Sequence, residues 1–200
     1  PFAVVATNLA NGERTVFVRG NTGQAVRASS SIPGVFEAVA IGKAHYVDGG
    51  VVSPVPVDAA RELGADFVIA VDISSKADGI ASTTSMLGNL NQSIRIMGQK
   101  LGAQELARAD IVIRPKVNDI GPADFAAKNR AILEGERAAQ AALPQIRAKI
   151  AALQAARTAK ARQAADADAA RQREAERKAR CARQQGWMDT LRRDDDCKQG

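Results

Sequence analysis

Few side chains in this sequence could do chemistry, and most of them gather between Arg27 and Val57. Asp48-Gly49-Gly50 puts a carboxylate ahead of two glycines, directly after the strand-like run Ala44–Val47. Open α/β sheets place ligands and catalytic groups at strand ends, so a carboxylate there can accept a proton. The glycines allow backbone angles that other residues resist and a close approach to a neighbouring segment. On spacing alone the triplet is more often a turn. Ser29-Ser30-Ser31 stand just before Ile32-Pro33-Gly34. Three hydroxyls at a helix end read as capping and packing groups, since none lies in the Gly-flanked elbow that exposes a nucleophile. His45 is the single histidine, three residues before Asp48. On a strand it faces away from Tyr46 and Asp48, which favours a surface or structural role. Asp72, after an apolar run, reads as a turn cap, and Asp66 and Asp110, ahead of apolar runs, as turn residues. Cys181 and Cys197 have no further metal ligands nearby. A disulfide between them would staple only a short, weakly structured stretch, and they read as two exposed thiols. No metal site or cofactor is called for.

The elements that must position these groups alternate between strand and helix patterns over the first 150 residues. Phe2–Asn8 reads as a buried strand, joined through Asn11-Gly12 to a second strand over Arg14–Arg19, a strong hairpin pattern. A short helix over Gln24–Ser30 is stopped by Ile32-Pro33-Gly34. Val35–Ala40 and Ala44–Val47 flank the turn Ile41-Gly42-Lys43 as another hairpin. Asp58–Leu63 is a short helix closed by Gly64. Asp66–Ile73 is the clearest buried strand, with a continuous apolar centre. A long helix follows within Thr83–Ala107, then a strand over Asp110–Arg114. A further helix runs on from about Pro122 and is perturbed at Pro144. Strands interleaved with helices give an α/β layer fold. Leu143, Ile146, Ile150 and Leu153 fall at helical intervals, which ends the packed domain at residue 153 and leaves 154–200 as a charged tail.

Composition narrows the function classes. The 200 residues are 46% hydrophobic and 25% charged, which excludes a chain disordered throughout, and apolar runs reach only five residues, far short of a membrane span. The net charge of +6 divides unevenly: residues 1–150 carry 16 basic and 14 acidic groups, residues 151–200 carry 12 and 8. The basic excess therefore belongs mainly to a mixed-charge extension without interleaved aromatic residues, and nucleic acid is not the expected partner. From Gln154 to Gly186 there is no Val, Ile, Leu, Met or aromatic residue. That segment has high helix propensity but nothing to bury, so a solvated helix with i,i+4 pairs such as Glu174–Lys178 and Glu176–Arg180 is expected, ending in a disordered tail. Trp187 and Leu191 could dock on the body or on a partner.

A longer pattern surrounds Asp48. Ser31-Ile32-Pro33-Gly34-Val35-Phe36 is followed by Tyr46-Val47-Asp48-Gly49-Gly50-Val51-Val52-Ser53-Pro54-Val55-Pro56-Val57, then by Leu63-Gly64-Ala65-Asp66-Phe67-Val68-Ile69-Ala70-Val71-Asp72. In this order the segments closely resemble the C-terminal half of bacterial patatin-like phospholipases, and the resemblance extends over about residues 2–150. Ser53 departs from it, at a position where Asn is frequent in the family. The resemblance implies a patatin-like layered α/β fold, incomplete at its N-terminus, with an Ala/Arg-rich helical C-terminal extension. It also implies a serine acyl hydrolase with a serine–aspartate dyad acting on a lipid or other ester, with peripheral membrane contact as a possibility. By that likeness Asp48 is the proton acceptor, Gly49 and Gly50 complete its motif, and Ser31, Pro33 and Gly34 are a candidate wall of the active site.

The same resemblance predicts what this stretch lacks. No G-x-S-x-G elbow occurs in the 200 residues, nor a Gly-rich loop for the oxyanion. In the family both precede the matched region, so they are expected upstream of Pro1 and the chain alone is expected to be inactive. Exposed sheet edge and face would then make it poorly soluble or partly disordered. The competing reading is a non-catalytic lipid- or anion-binding module on the same fold. Compartment, whether bacterial cytoplasm or cell envelope, and oligomeric state are left open by the residues.

Overall fold

A computed structural model of the protein describes residues 2–74, 86–121 and 124–185. The chain falls into two compact units, residues 1–146 and 147–200. Trp187, Leu191 and Cys197 lie outside the described residues, as does the helix start expected at Pro122.

The first unit opens with a four-stranded antiparallel sheet in the order β2-β1-β4-β3. Strands β1 (Val4–Asn8) and β2 (Arg14–Phe17) pair in the register Val4↔Phe17 to Thr7↔Arg14. Their connection turns at Gly12, whose φ of 72° lies in the region that an L side chain resists. Strands β3 (Val39–Ile41) and β4 (Ala44–Asp48) form the second hairpin, closed at Gly42 with φ 63°. β1 and β4 then pair at Ala6↔Asp48, Thr7↔Val47 and Asn8↔Tyr46, which carries Asp48 into the middle of the sheet. Helix α1 (Thr22–Ser29) begins at Asn21, whose side chain accepts the Gln24 N–H, and buries Ala25 and Ala28. Ala28 packs with Ala6 and Val39, and Phe17 meets Tyr46 edge-on with ring centroids 5.1 Å apart. Val35 to Glu37 are exposed and form no strand, so the expected strand shortens to β3; Gly34, at φ 82°, turns the chain there.

The second layer pairs β5 (Ile69–Val71) and β6 (Ile111–Ile113) in parallel. Its core is Val55, Val57, Val68, Ala70 and Leu106, contributed by α2 (Val57–Glu62), α3 (Met86–Leu106), β5 and the residues just before α2 and β5. The continuous apolar run about β5 suggested burial on both faces. Instead the pleat sends Ala70 inward and leaves Ile69 and Val71 at 42% and 52% exposure. The exposure is confined to β5, because Ile111 and Ile113, which pair with Ile69 and Val71 and share their face, are buried at 2% and 9%. Asp110 does more than turn the chain: its carboxylate receives Arg61 at 2.5 Å and the Val68 N–H at 2.8 Å, joining α2 to both strands.

Two further carboxylates make the stability of this layer pH-dependent. Arg108 grips Asp58 with Nε and Nη2, each at 2.6 Å, and those hydrogen bonds hold Asp58 below the ordinary carboxylate range. Burial works to raise Asp72, but hydrogen bonds from Ser74 and Arg114 outweigh it and lower the carboxyl. A folded-state value below the unfolded one favours the native state above the unfolded pKa, and that support disappears as pH falls through the folded value. The midpoint of thermal unfolding should therefore fall on acidification below about pH 4. Arg108→Ala should flatten the Asp58 part of this slope, and 1 M salt should weaken it, since the pair is partly exposed. Identical pH slopes for Arg108→Ala and the parent would refute the assignment.

A 3-10 turn at Phe125–Ala127 leads into α4 (Lys128–Gln185), which continues through Pro144. The perturbation expected at that proline does not divide the helix. Within the second unit the helix is solvated as its composition demands, with Lys178 pairing Glu174 at 2.7 Å. Cys181, expected as an exposed thiol, is disulfide-bonded and only partly exposed. No helix among the described residues is long and apolar enough to cross a membrane.

Candidate active site

Asp48 is the last residue of β4 and the cap of the 3-10 turn Gly49–Val51. Its main chain is fixed on both sides. The N–H donates to the Ser31 carbonyl at 2.9 Å, and the carbonyl accepts the buried Thr7 hydroxyl at 2.8 Å. Ser31 thus joins the end of α1 to the strand that carries the carboxylate. The side chain is held by one oxygen: Oδ1 accepts the Gly50 N–H at 2.7 Å. Oδ2 has no hydrogen-bond partner among the described residues, and the half-buried carboxylate borders an open cleft of about 440 Å³. One oxygen orients the group while the other is left to accept a proton.

The two glycines are required for closeness and not for an unusual backbone angle. Neither Gly49 nor Gly50 has a left-handed φ. A Cβ on Gly49 would lie 2.4 Å from the Val5 carbonyl oxygen, because the turn packs directly on β1. A Cβ on Gly50 would meet Asp48 Oδ1 at 3.1 Å. The first glycine lets the turn approach the sheet, and the second lets the carboxylate reach the N–H that orients it.

The cleft brings Asp48, Gly49 and Gly50 together with Ser29, Ser30 and Ser53. Its remaining walls include Phe2, Val4, Val26 and Pro54, an apolar lining with a single carboxylate. Phe2 is 66% exposed and Val26 44%. Two of the serines at the end of α1 are occupied: Ser30 Oγ donates to the Val26 carbonyl at 3.0 Å and Ser31 Oγ to the Arg27 carbonyl at 2.8 Å. Ser31 lines a neighbouring cavity with Arg27, Phe36 and Glu37, whereas Pro33 and Gly34 are exposed and line neither. His45 is exposed, alternates with the inward-facing neighbours on β4, and is not in the cleft. Asp72 accepts the Ser74 N–H at 3.0 Å as a turn cap and also pairs with Arg114 at 3.0 Å. No group of three or more His, Cys, Asp or Glu residues able to hold a metal occurs among the described residues.

One feature of the site had no signal in the sequence. Glu105, near the end of α3, is 6% exposed and accepts the Ser53 hydroxyl at 2.5 Å and the Val55 N–H at 2.9 Å. Fifty-odd residues separate the partners, and nothing in a helical glutamate announces such a link.

Against known proteins, residues 2–61 match the family model "Patatin-like phospholipase". An uncharacterized NTE family protein of Mycobacterium tuberculosis is 36% identical over 81 residues, covering 40% of this chain and 22% of that protein. A second uncharacterized NTE family protein of the same species is 28% identical over 166 residues, covering 71% of this chain and 28% of the relative. The lysophospholipase NTE1 of Debaryomyces hansenii is 32% identical over 73 residues, or 36% of this chain and 5% of that one. The chain thus spans well under a third of the length of these relatives.

Proposed function

We propose, for a chain that is a patatin-like phospholipase family member through its residues 2–61, that it contributes the general base of a lipid acyl hydrolase. The carrying observation is Asp48, with Oδ1 bound by the Gly50 N–H at 2.7 Å and Oδ2 without a hydrogen-bond partner among the described residues, beside a mainly apolar cleft. In this reading Oδ2 removes the proton of a serine hydroxyl as its oxygen attacks an ester carbonyl. The tetrahedral species collapses to an acyl-enzyme, and the released alkoxide takes up the proton. Asp48 then takes a proton from water as the water oxygen attacks the acyl-enzyme, and collapse releases the fatty acid while the departing serine oxygen takes that proton back from Asp48. Phe2, Val26 and Pro54 suit the acyl chain, and the exposure of Phe2 and Val26 suits peripheral contact with a lipid surface. No metal or cofactor takes part in these steps.

The serine belongs to a G-x-S-x-G elbow that this sequence does not contain. The 200-residue chain supplies the base and not the nucleophile or the oxyanion donors, and by itself it does not turn over esters. The test compares residues 1–200 with the same chain extended upstream in its reading frame, using p-nitrophenyl butyrate and a lysophospholipid. Background rates for the short chain and a burst of p-nitrophenolate from the extended one are expected. Comparable turnover by the short chain would move the nucleophile inside residues 1–200. A folded extended chain that binds lipid without hydrolysing it would instead favour a binding module.

A further inference from the structure

We propose that Glu105 is a positioning residue that fixes Asp48 from the opposite layer of the first unit; the catalytic meaning of this rests on the function proposed above. A carboxylate taken out of water is costly unless it is paired or well hydrogen-bonded. Glu105 is 6% exposed, and the groups it accepts from are neutral: the Ser53 hydroxyl at 2.5 Å and the Val55 N–H at 2.9 Å. Both donors lie on the segment that leaves the Asp48 turn. Ser53 is itself 4% exposed, and its N–H donates back to the Gly49 carbonyl at 2.9 Å. The chain of bonds therefore runs from Glu105 through Ser53 to Gly49, adjacent to the carboxylate, and Ser53 also lines the cleft.

The approach of α3 to this segment is close. A Cβ on Gly102, one turn before Glu105, would touch Pro54 Cγ at 3.5 Å and Val55 Cγ2 at 3.9 Å. Packing thus sets the distance between α3 and the segment, and the two hydrogen bonds to Glu105 set its register. A carboxylate suits this place because it presents two acceptors to two donors. A glutamine would turn one of its own N–H groups toward a donor. The Asp48 side is held by the Gly50 N–H, by Thr7 and by Ser31. Without Glu105 the turn keeps its sheet anchors but loses the tether on its exit.

The test uses the whole 200-residue chain, labelled with nitrogen-15, and requires no hydrolysis. Because the Gly50 N–H donates to Asp48 Oδ1, its amide chemical shift reports that hydrogen bond. Glu105→Gln should move the Gly50 shift toward that of an unbonded amide. It should also speed amide exchange at Gly50 and Ser53 by about tenfold, the effect of losing one such hydrogen bond. Amides of β2, such as Val16, should exchange as before. Ser53→Ala should reproduce the change at Gly50, and Ser53→Asn, which keeps a donor for Glu105, should restore the parent profile.

An unchanged Gly50 amide shift and exchange rate in folded Glu105→Gln would overturn the proposal. So would equal acceleration at Gly50 and Val16, which marks general loosening. If Glu105→Gln does not fold, the Ser53→Ala and Ser53→Asn pair decides by the same readout. In the extended chain, Glu105→Gln should lower kcat with KM unchanged. If Asp48 proves dispensable for hydrolysis while the Gly50 signal still depends on Glu105, the positioning stands and the catalytic reading falls.

Discussion

Asp48→Asn should lower the hydrolytic rate of the upstream-extended chain by about 10²- to 10⁴-fold, the usual contribution of a positioned general base. The substitution separates chemistry from structure. Asparagine retains an Oδ1 that can accept the Gly50 N–H, the contact now made at 2.7 Å. The backbone anchors, Asp48 N–H to Ser31 and Thr7 Oγ1 to the Asp48 carbonyl, do not involve the side chain. What disappears is the proton-accepting oxygen, replaced by an amide nitrogen with no usable lone pair. The thermal midpoint of the variant should stay close to that of the parent, with kcat reduced far more than KM is changed. His45→Ala should leave both constants alone, because the imidazole is exposed and outside the cleft. Retention of most activity in Asp48→Asn would refute the base assignment, and loss of activity in His45→Ala would reopen a three-residue relay.

Much of this site is legible in the residues because its logic is local. The strand before Asp48, the hairpin turns at Gly12 and Gly42, and the stop at Gly64 all depend on neighbours within a few positions. Alternation along β4 is enough to turn His45 away from Asp48. The sequence misleads where a rule has two causes. Gly49 and Gly50 read equally well as residues freed from backbone restriction, yet their φ angles are ordinary and the requirement is steric. The run about Ile69 to Val71 reads as a continuously buried strand, but burial depends on what packs against it: Ala70 is covered, while Ile69 and Val71 stay exposed beside the buried Ile111 and Ile113. The Glu105–Ser53 link depends on two segments meeting across the fold, which no periodicity encodes.

Gly49→Ala should destabilise the chain, and the size of the effect follows from what the new methyl group meets. Its carbon would fall 2.4 Å from the Val5 carbonyl oxygen and 2.9 Å from the Val5 carbonyl carbon. These are backbone atoms, so no rotamer change can relieve the clash. Nor can β1 move aside easily, because Val5 pairs with Val16 on one flank while Ala6 pairs with Asp48 on the other. Overpacking of a rigid site costs about 1–3 kcal/mol or more. For a chain of this length each kcal/mol lowers the thermal midpoint by about 2–4 °C. Gly50→Ala provides the contrast. Its Cβ would lie 3.1 Å from Asp48 Oδ1, the mobile end of a side chain, so the carboxylate rotates and the turn survives. Stability should then change by less than about 1 kcal/mol, while the Gly50 hydrogen bond lengthens and the base loses its orientation. Urea unfolding of the two variants, read beside the Gly50 amide shift, separates the roles: Gly49 loses stability, and Gly50 loses the bond. Equal midpoints for Gly49→Ala and the parent would mean that the turn can lift from β1, and the close packing would not be what demands glycine there.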